Sequence, residues 1–315
     1  MIPYQLNIDP PISEKQINFK ESLLFLGSCF SENIANLLLQ KHFKVLNNPN
    51  GITFNPLSIG KPFELLMLKE EYTNKDIVNS QNHCFSKFHH GKINHSHETE
   101  LLKQINTDFN LFKEELSNCK HLFITFGSAY VYRLKETNEI AANCHQLPQN
   151  QFEKELLTVH EICSFYHPII QFLEENYPQI NLIFTVSPVK HLKDGVAENN
   201  ISKSTLLLAI HSLAQEFPKI EYFPSYELMN DDLRDYRFYE SDGAHPNAIA
   251  INYIYEKFKN TFFDKETITF EKEMTAYLKL KNHQPILNSI LKTQQLQMKI
   301  ESLGQELSKK YKIIL

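Results

Sequence analysis

The chain contains no tryptophan and only eight glycines and five cysteines in 315 residues. Its cysteines (29, 84, 119, 144 and 163) are odd in number, far apart and without a C-x-x-C pair, so neither a disulfide framework nor a zinc ribbon is indicated. Reduced thiols are expected. A dominant charge sign is also missing. The 32 basic and 37 acidic residues leave a net charge of -5 with no basic face, which argues against nucleic acid as a partner. The longest apolar runs, such as LLLAI at 206–210, fall far short of the roughly 20 residues of a bilayer span, so no membrane span is expected. The opening MIPYQLNIDPPISEKQ lacks the charged and apolar regions of a secretory signal, and the expected location is cytoplasmic.

What is present is 42% hydrophobic residues, ample for a sizeable core. Apolar runs of four or five residues recur at Leu23–Leu26, Leu122–Phe126, Leu182–Val186 and Ile220–Phe223, the pattern of strands buried on both faces. Between them lie helical stripes. One runs through Leu206, Leu207, Ile210, Leu213, Ala214 and Phe217, another through Phe152, Leu156, Val159, Ile162 and Phe165. Pro246 falls where a first helical residue is expected, ahead of NAIAINYIYEKF. Strands alternating with helices predict an α/β fold with a parallel central sheet and helices on both faces, a three-layer α/β/α sandwich. From about Lys265 the chain turns polar and helical, with Leu296, Ile300, Leu303 and Leu307 at helical spacing. The expected division is a main domain over 1–263 and a C-terminal helical extension over 264–315; the oligomeric state is left open.

In parallel sheets, ligands bind at the carboxyl ends of the strands. Gly27, Gly127 and Ser187-Pro188 follow three of the predicted strands, and Gly51 and Gly243 mark two more loops. In ESDGAHPN, Asp242 stands three residues before His245, a spacing at which the carboxylate can fix one imidazole nitrogen and leave the other as a general base. Such a base needs a nucleophile from another strand end. LGSCFSENIA supplies two, Ser28 and Cys29. The thiol needs less activation, because helix N-terminal amides favour its thiolate.

The stretch LGSCFSENIA resembles the motif of the GSCFA family, a bacterial group in the SGNH (GDSL-like) hydrolase superfamily. The likeness continues through NPNGITFNPLSI, ITFGSAYVY, AANCHQLP, TVSPVKHLKDGVAENNISKS and FPSYELMNDDLRDYRFYESDGAHPN. It implies an α/β/α, flavodoxin-like fold and an acyl-ester chemistry needing no cofactor. The nucleophile follows the first strand, oxyanion donors come from two middle blocks, and a late Asp-x-x-His completes the site. On this pattern Asp242 and His245 match the late block, Gly51 matches the second-block glycine, and the nucleophile is Cys29 or, one residue earlier, Ser28. The third block reads Gly127-Ser128-Ala129 where relatives have Gly-x-Asn, so Asn143, or else Ser128, is the donor expected in its place.

Ser187, His191, Asn199 and Lys203 lie just past the third strand, where a substrate would rest or where turns and caps need them. The five histidines of HCFSKFHHGKINHSHE form no metal-ligand spacing, so no metal is expected. The implied activity is an esterase, hydrolase or acyltransferase acting on a small-molecule or glycan ester. The rival is a non-catalytic carbohydrate- or partner-binding protein on the same fold.

Overall fold

The computed structural model describes residues 6–80, 83–142, 147–283 and 290–315. In chain order the first elements are β1 (Ser22–Gly27), α1 (Cys29–Gln40), β2 (Lys44–Asn47), α2 (Pro56–Leu68), β3 (Ile77–Ser80), β4 (His83–Ser86), β5 (Asn94–His95), α3 (Glu98–Asn118) and β6 (His121–Phe126). There follow β7 (Tyr130–Leu134), β8 (Ile140–Ala141), β9 (Phe152–Leu156), α4 (Val159–Asn176), β10 (Asn181–Val186), α5 (Val196–Glu216) and β11 (Glu221–Phe223). The chain closes with the single turn α6 (Ser225–Glu227), then α7 (Ala248–Phe262), α8 (Lys265–Lys281) and α9 (Ile290–Tyr311).

Five strands form one sheet in the order β11-β10-β6-β1-β2, every pair parallel. The four apolar runs of the sequence are β1, β6, β10 and β11, but β11 is an edge strand in which only Phe223 is buried, not the doubly buried strand expected. The fifth strand, β2, is an edge with no fully buried side chain, which is why its sequence carries no apolar run.

Strand alternation divides the core in two. Leu24 and Leu26 of β1, Leu122, Ile124 and Phe126 of β6, and Leu182, Phe184 and Val186 of β10 face a cluster completed by α2, α3, α4 and α5. Leu23, Phe25, Phe123 and Ile183 face the other side, where Ile34, Phe258, Phe262 and Phe270 bring in α1, α7 and α8. The molecule is therefore an α/β/α sandwich. Leu307 and Tyr311 of α9 are buried in that second cluster.

Two small antiparallel sheets, β3-β4-β5 and β8-β7-β9, project from the frame. The second corrects the sequence reading. Phe152 and Leu156 lie in β9, paired with β7 from Leu134 to Tyr130, and the helix begins only at Val159. Its start is set by a capping box: the Thr158 side chain accepts from the Glu161 amide and the Glu161 carboxylate accepts from the Thr158 amide. Pro246 likewise precedes α7 rather than opening it; it forms a bridge with Tyr239, and Asn247 is the cap.

Candidate active site

The chain leaves β1 through Gly27 at φ +125°, where a Cβ would lie 2.1 Å from the Thr125 carbonyl oxygen. No other residue fits a backbone that turns so tightly against β6. Ser28 is the N-cap of α1, yet its side chain caps nothing; the Oγ is wholly buried and has no hydrogen-bond partner. Cys29 is the first helical residue and is partly exposed. Of the two candidate nucleophiles, only the thiol meets solvent.

The helix amides of Cys29 and Phe30 do favour the thiolate, as does the charge of Lys203, but burial outweighs them and pushes the thiol above its ordinary pKa. Glu32 adds slightly in the same direction. The expected spontaneous activation by the helix terminus is therefore not enough, and the proton needs a base.

Asp242 and His245 form the expected pair. Asp242 Oδ1 accepts from the Ala244 and His245 amides at 2.8 and 3.0 Å, and Oδ2 lies 2.6 Å from His245 Nδ1. These contacts hold the carboxyl down at about 2, so it is ionised and accepts from an Nδ1 that carries the proton. Nε2 is the ring nitrogen that Asp242 does not engage. Both residues are half-exposed on the loop before α7, and the Lys190 amide, from the loop after β10, donates to the Ala244 carbonyl at 3.1 Å.

The amides of the middle blocks are engaged by the fold. Gly51, expected at the oxyanion, donates to the Asn48 carbonyl at 2.7 Å and has no room for a side chain against His90. Gly127 and Ser128 both donate to the Phe54 carbonyl, at 2.8 and 3.0 Å. The Ser128 hydroxyl accepts from the Tyr130 amide and lies 3.3 Å from Ser202 Oγ. Ser187 is buried, its amide on Phe126 and its hydroxyl accepting from the Val189 amide. Asn143 lies outside the described residues.

His191 is different. Its backbone amide donates to Asn199 Oδ1 at 2.9 Å, and its ring meets the edge of Phe54, but the buried Nε2 has no partner. Burial first, then the charges of Lys203 and His245, lower its pKa from 6.5 to about 3, so the ring is neutral. Lys203 thus bears on both Cys29 and His191. Beside His191 opens a cavity of about 300 Å³ walled by Phe54, Tyr130, Tyr132, Lys154 and Asp194. Lys154 pairs with Asp194 and lies over the Tyr130 ring.

A family model of GSCFA proteins matches residues 22–258. The chain belongs to the GSCFA family. That GSCFA match takes in every candidate residue from Gly27 to His245 and ends within α7. No curated protein matches the chain closely enough to count as a relative.

In this GSCFA protein a second cavity, of about 400 Å³ between Pro11–Lys15 and Pro218–Tyr222, opens at the amino ends of the strands, away from all these residues. The histidine-rich stretch is spread out: His83 and His95 lie on neighbouring strands, His89 Nδ1 bonds Ser86 Oγ, and His97 stands just ahead of α3 without capping it. Among the described residues no three potential ligands gather around a metal position, and no helix is long and apolar enough to cross a membrane. Lys203, which the sequence left between substrate contact and turn bonding, is held by the Gly127 and Ser187 carbonyls just past β6 and β10.

Proposed function

We propose that the protein is an ester hydrolase or acyltransferase working through an acyl-thioester on Cys29, with the site plan of the SGNH superfamily. The observation that carries the reading is the 2.6 Å Asp242–His245 contact, held on a loop that is itself bonded to the loop after β10. In the proposed step the Cys29 proton passes to His245 Nε2 and the sulfur bonds to the ester carbonyl carbon. The carbonyl–oxygen bond then breaks, and His245 returns the proton to the departing alkoxide. Water, or another hydroxyl in a transferase, attacks the thioester by the same route. Asp242 orients the imidazole and stabilises its charged form.

The oxyanion falls to the Cys29 amide and to neutral His191, whose buried Nε2 needs a partner. A neutral imidazole can donate to a developing oxyanion when its charged form is suppressed. The cavity beside it, with Phe54, Tyr130 and Tyr132 as flat walls and the Lys154–Asp194 pair as polar contacts, suits an acylated sugar.

Incubation with an aryl acetate, acid quench and mass spectrometry tests this. An acyl adduct is expected on Cys29, lost in Cys29→Ala and kept in Ser28→Ala. An unmodified chain across a range of acyl esters sinks the enzyme reading. The engaged amides of Gly51, Gly127 and Ser128 are what favours the binding-protein alternative, which an unmodified spectrum together with glycan binding would support.

A further inference from the structure

Lys203, on α5, is 1% exposed, and no carboxylate pairs with it among the described residues. A buried ammonium without a counter-ion is costly, and Leu or Met would fill the same space without that cost. Its nitrogen donates to the Gly127 carbonyl at 2.5 Å and the Ser187 carbonyl at 2.8 Å. Two of its three N–H positions are thereby fixed.

The strand register shows where the third can point. Val186 pairs with Phe126, which sets Ser187 level with Gly127, and Gly27 pairs with Thr125, so the chain turns from β1 into α1 beside the end of β6. Hydrogen bonds from the Ser28 amide to Thr125 and from the Ser187 amide to Phe126 carry both pairings past the strand ends. Lys203 therefore reaches under the ends of β10 and β6 toward the start of α1. The two groups feel each other: the lysine favours the thiolate, and burial lowers the lysine to about 7 although the sulfur opposes that fall. The other charged or titratable groups bearing on the pair are Glu32 from α1 and His191, with the Tyr226 ring 6.0 Å from the ammonium.

We infer that Lys203 is the counter-charge of the Cys29 thiolate, a buried ammonium fixed by the Gly127 and Ser187 carbonyls whose third N–H holds the sulfur anion while the ester is attacked. The inference rests on Cys29 being the nucleophile. The thiol proton still goes to His245, and Lys203 keeps its own three, so no bond to the lysine is made or broken. It is a positioning residue, and it explains how a thiol held above its ordinary pKa can yield an anion when substrate arrives.

Alkylation of Cys29 by iodoacetamide, read residue by residue by mass spectrometry from about pH 5 to about pH 10, reports the thiolate directly. In Lys203→Met the profile moves to higher pH, and for every pH unit that it moves the rate near neutrality falls roughly tenfold; Lys203→Arg, which restores a charge, recovers part of the loss. If Lys203→Met does not fold, Cys29→Ala removes the other partner, and the ¹⁵N-labelled Lys203 side chain then titrates at lower pH than in the native chain, because coupling is reciprocal. Superimposable alkylation profiles in folded Lys203→Met, or an unchanged Lys203 titration in Cys29→Ala, would overturn the pairing. No ester is used, so a chain that shows these changes but takes up no acyl group keeps the ion pair and loses the acyl-transfer reading.

Discussion

His191 ties the charge state of one side chain to the stability of the whole chain. Its ordinary value of 6.5 applies when unfolded, whereas in the fold burial and the neighbouring positive charges hold it at about 3. Between those values the unfolded chain binds a proton that the folded chain does not. The contribution is complete above about pH 6.5 and is lost as the pH falls toward about 3, at ~1.4 kcal/mol per pH unit for one group. In urea unfolding, the midpoint should therefore drop between neutral pH and about pH 5 by less in His191→Gln than in the native chain. An equal drop in both would place the titrating group elsewhere. At this scale the sequence was most legible where partners are close in the chain: Asp242 and His245 are three apart, and their pairing follows from spacing. Gly51 and Lys203 were not legible in the same way. What Gly51 donates to and what Lys203 is held by are backbone carbonyls, which side-chain identity does not reveal.

Among the elements, α7 matters most to the site, because its cap also holds the loop that bears His245. Asn247 Oδ1 accepts from the Ile249 and Ala250 amides, while its Nδ2 donates back to the Arg237 carbonyl at 2.8 Å. Asn247→Ala is expected to lower stability by about 0.5–2 kcal/mol, measured by urea unfolding. Asn247→Asp keeps the acceptor but loses the amide donor, so it should unfold near the native midpoint while forming the acyl adduct more slowly. Equal adduct rates in the two proteins would show that the loop needs no such tether. The three buried strands β1, β6 and β10 could be read from their apolar runs. The antiparallel sheet of β7, β8 and β9 could not, because Phe152 and Leu156 are four apart, which suits a helical stripe as well as a strand, and only pairing with Tyr130–Leu134 decides between them.

For the molecule as a whole, the two-core arrangement gives α8 and α9 a structural duty although the family match stops at 258. Phe270 stacks on Phe19 with ring centroids 4.2 Å apart, and Phe270 and Met274 are fully buried. At about 1.5–3 kcal/mol for each such side chain, these two alone approach the ~5 kcal/mol at the low end of a domain's net stability. A chain ending at residue 263 should thus bind a hydrophobic dye and unfold at lower temperature than the full chain. An unchanged melting temperature would make the two helices dispensable.

The cleft rim is laced to itself: Thr53 to Gly27, Gly127 and Ser128 to Phe54, Ser187 to Phe126, Lys190 to Ala244, each bond joining segments from different parts of the chain. Among the described residues, none of these segments can swing out without breaking a bond to another. Deuterium should therefore reach these amides in one concerted opening, and a guest molecule would find a rigid mouth rather than a lid.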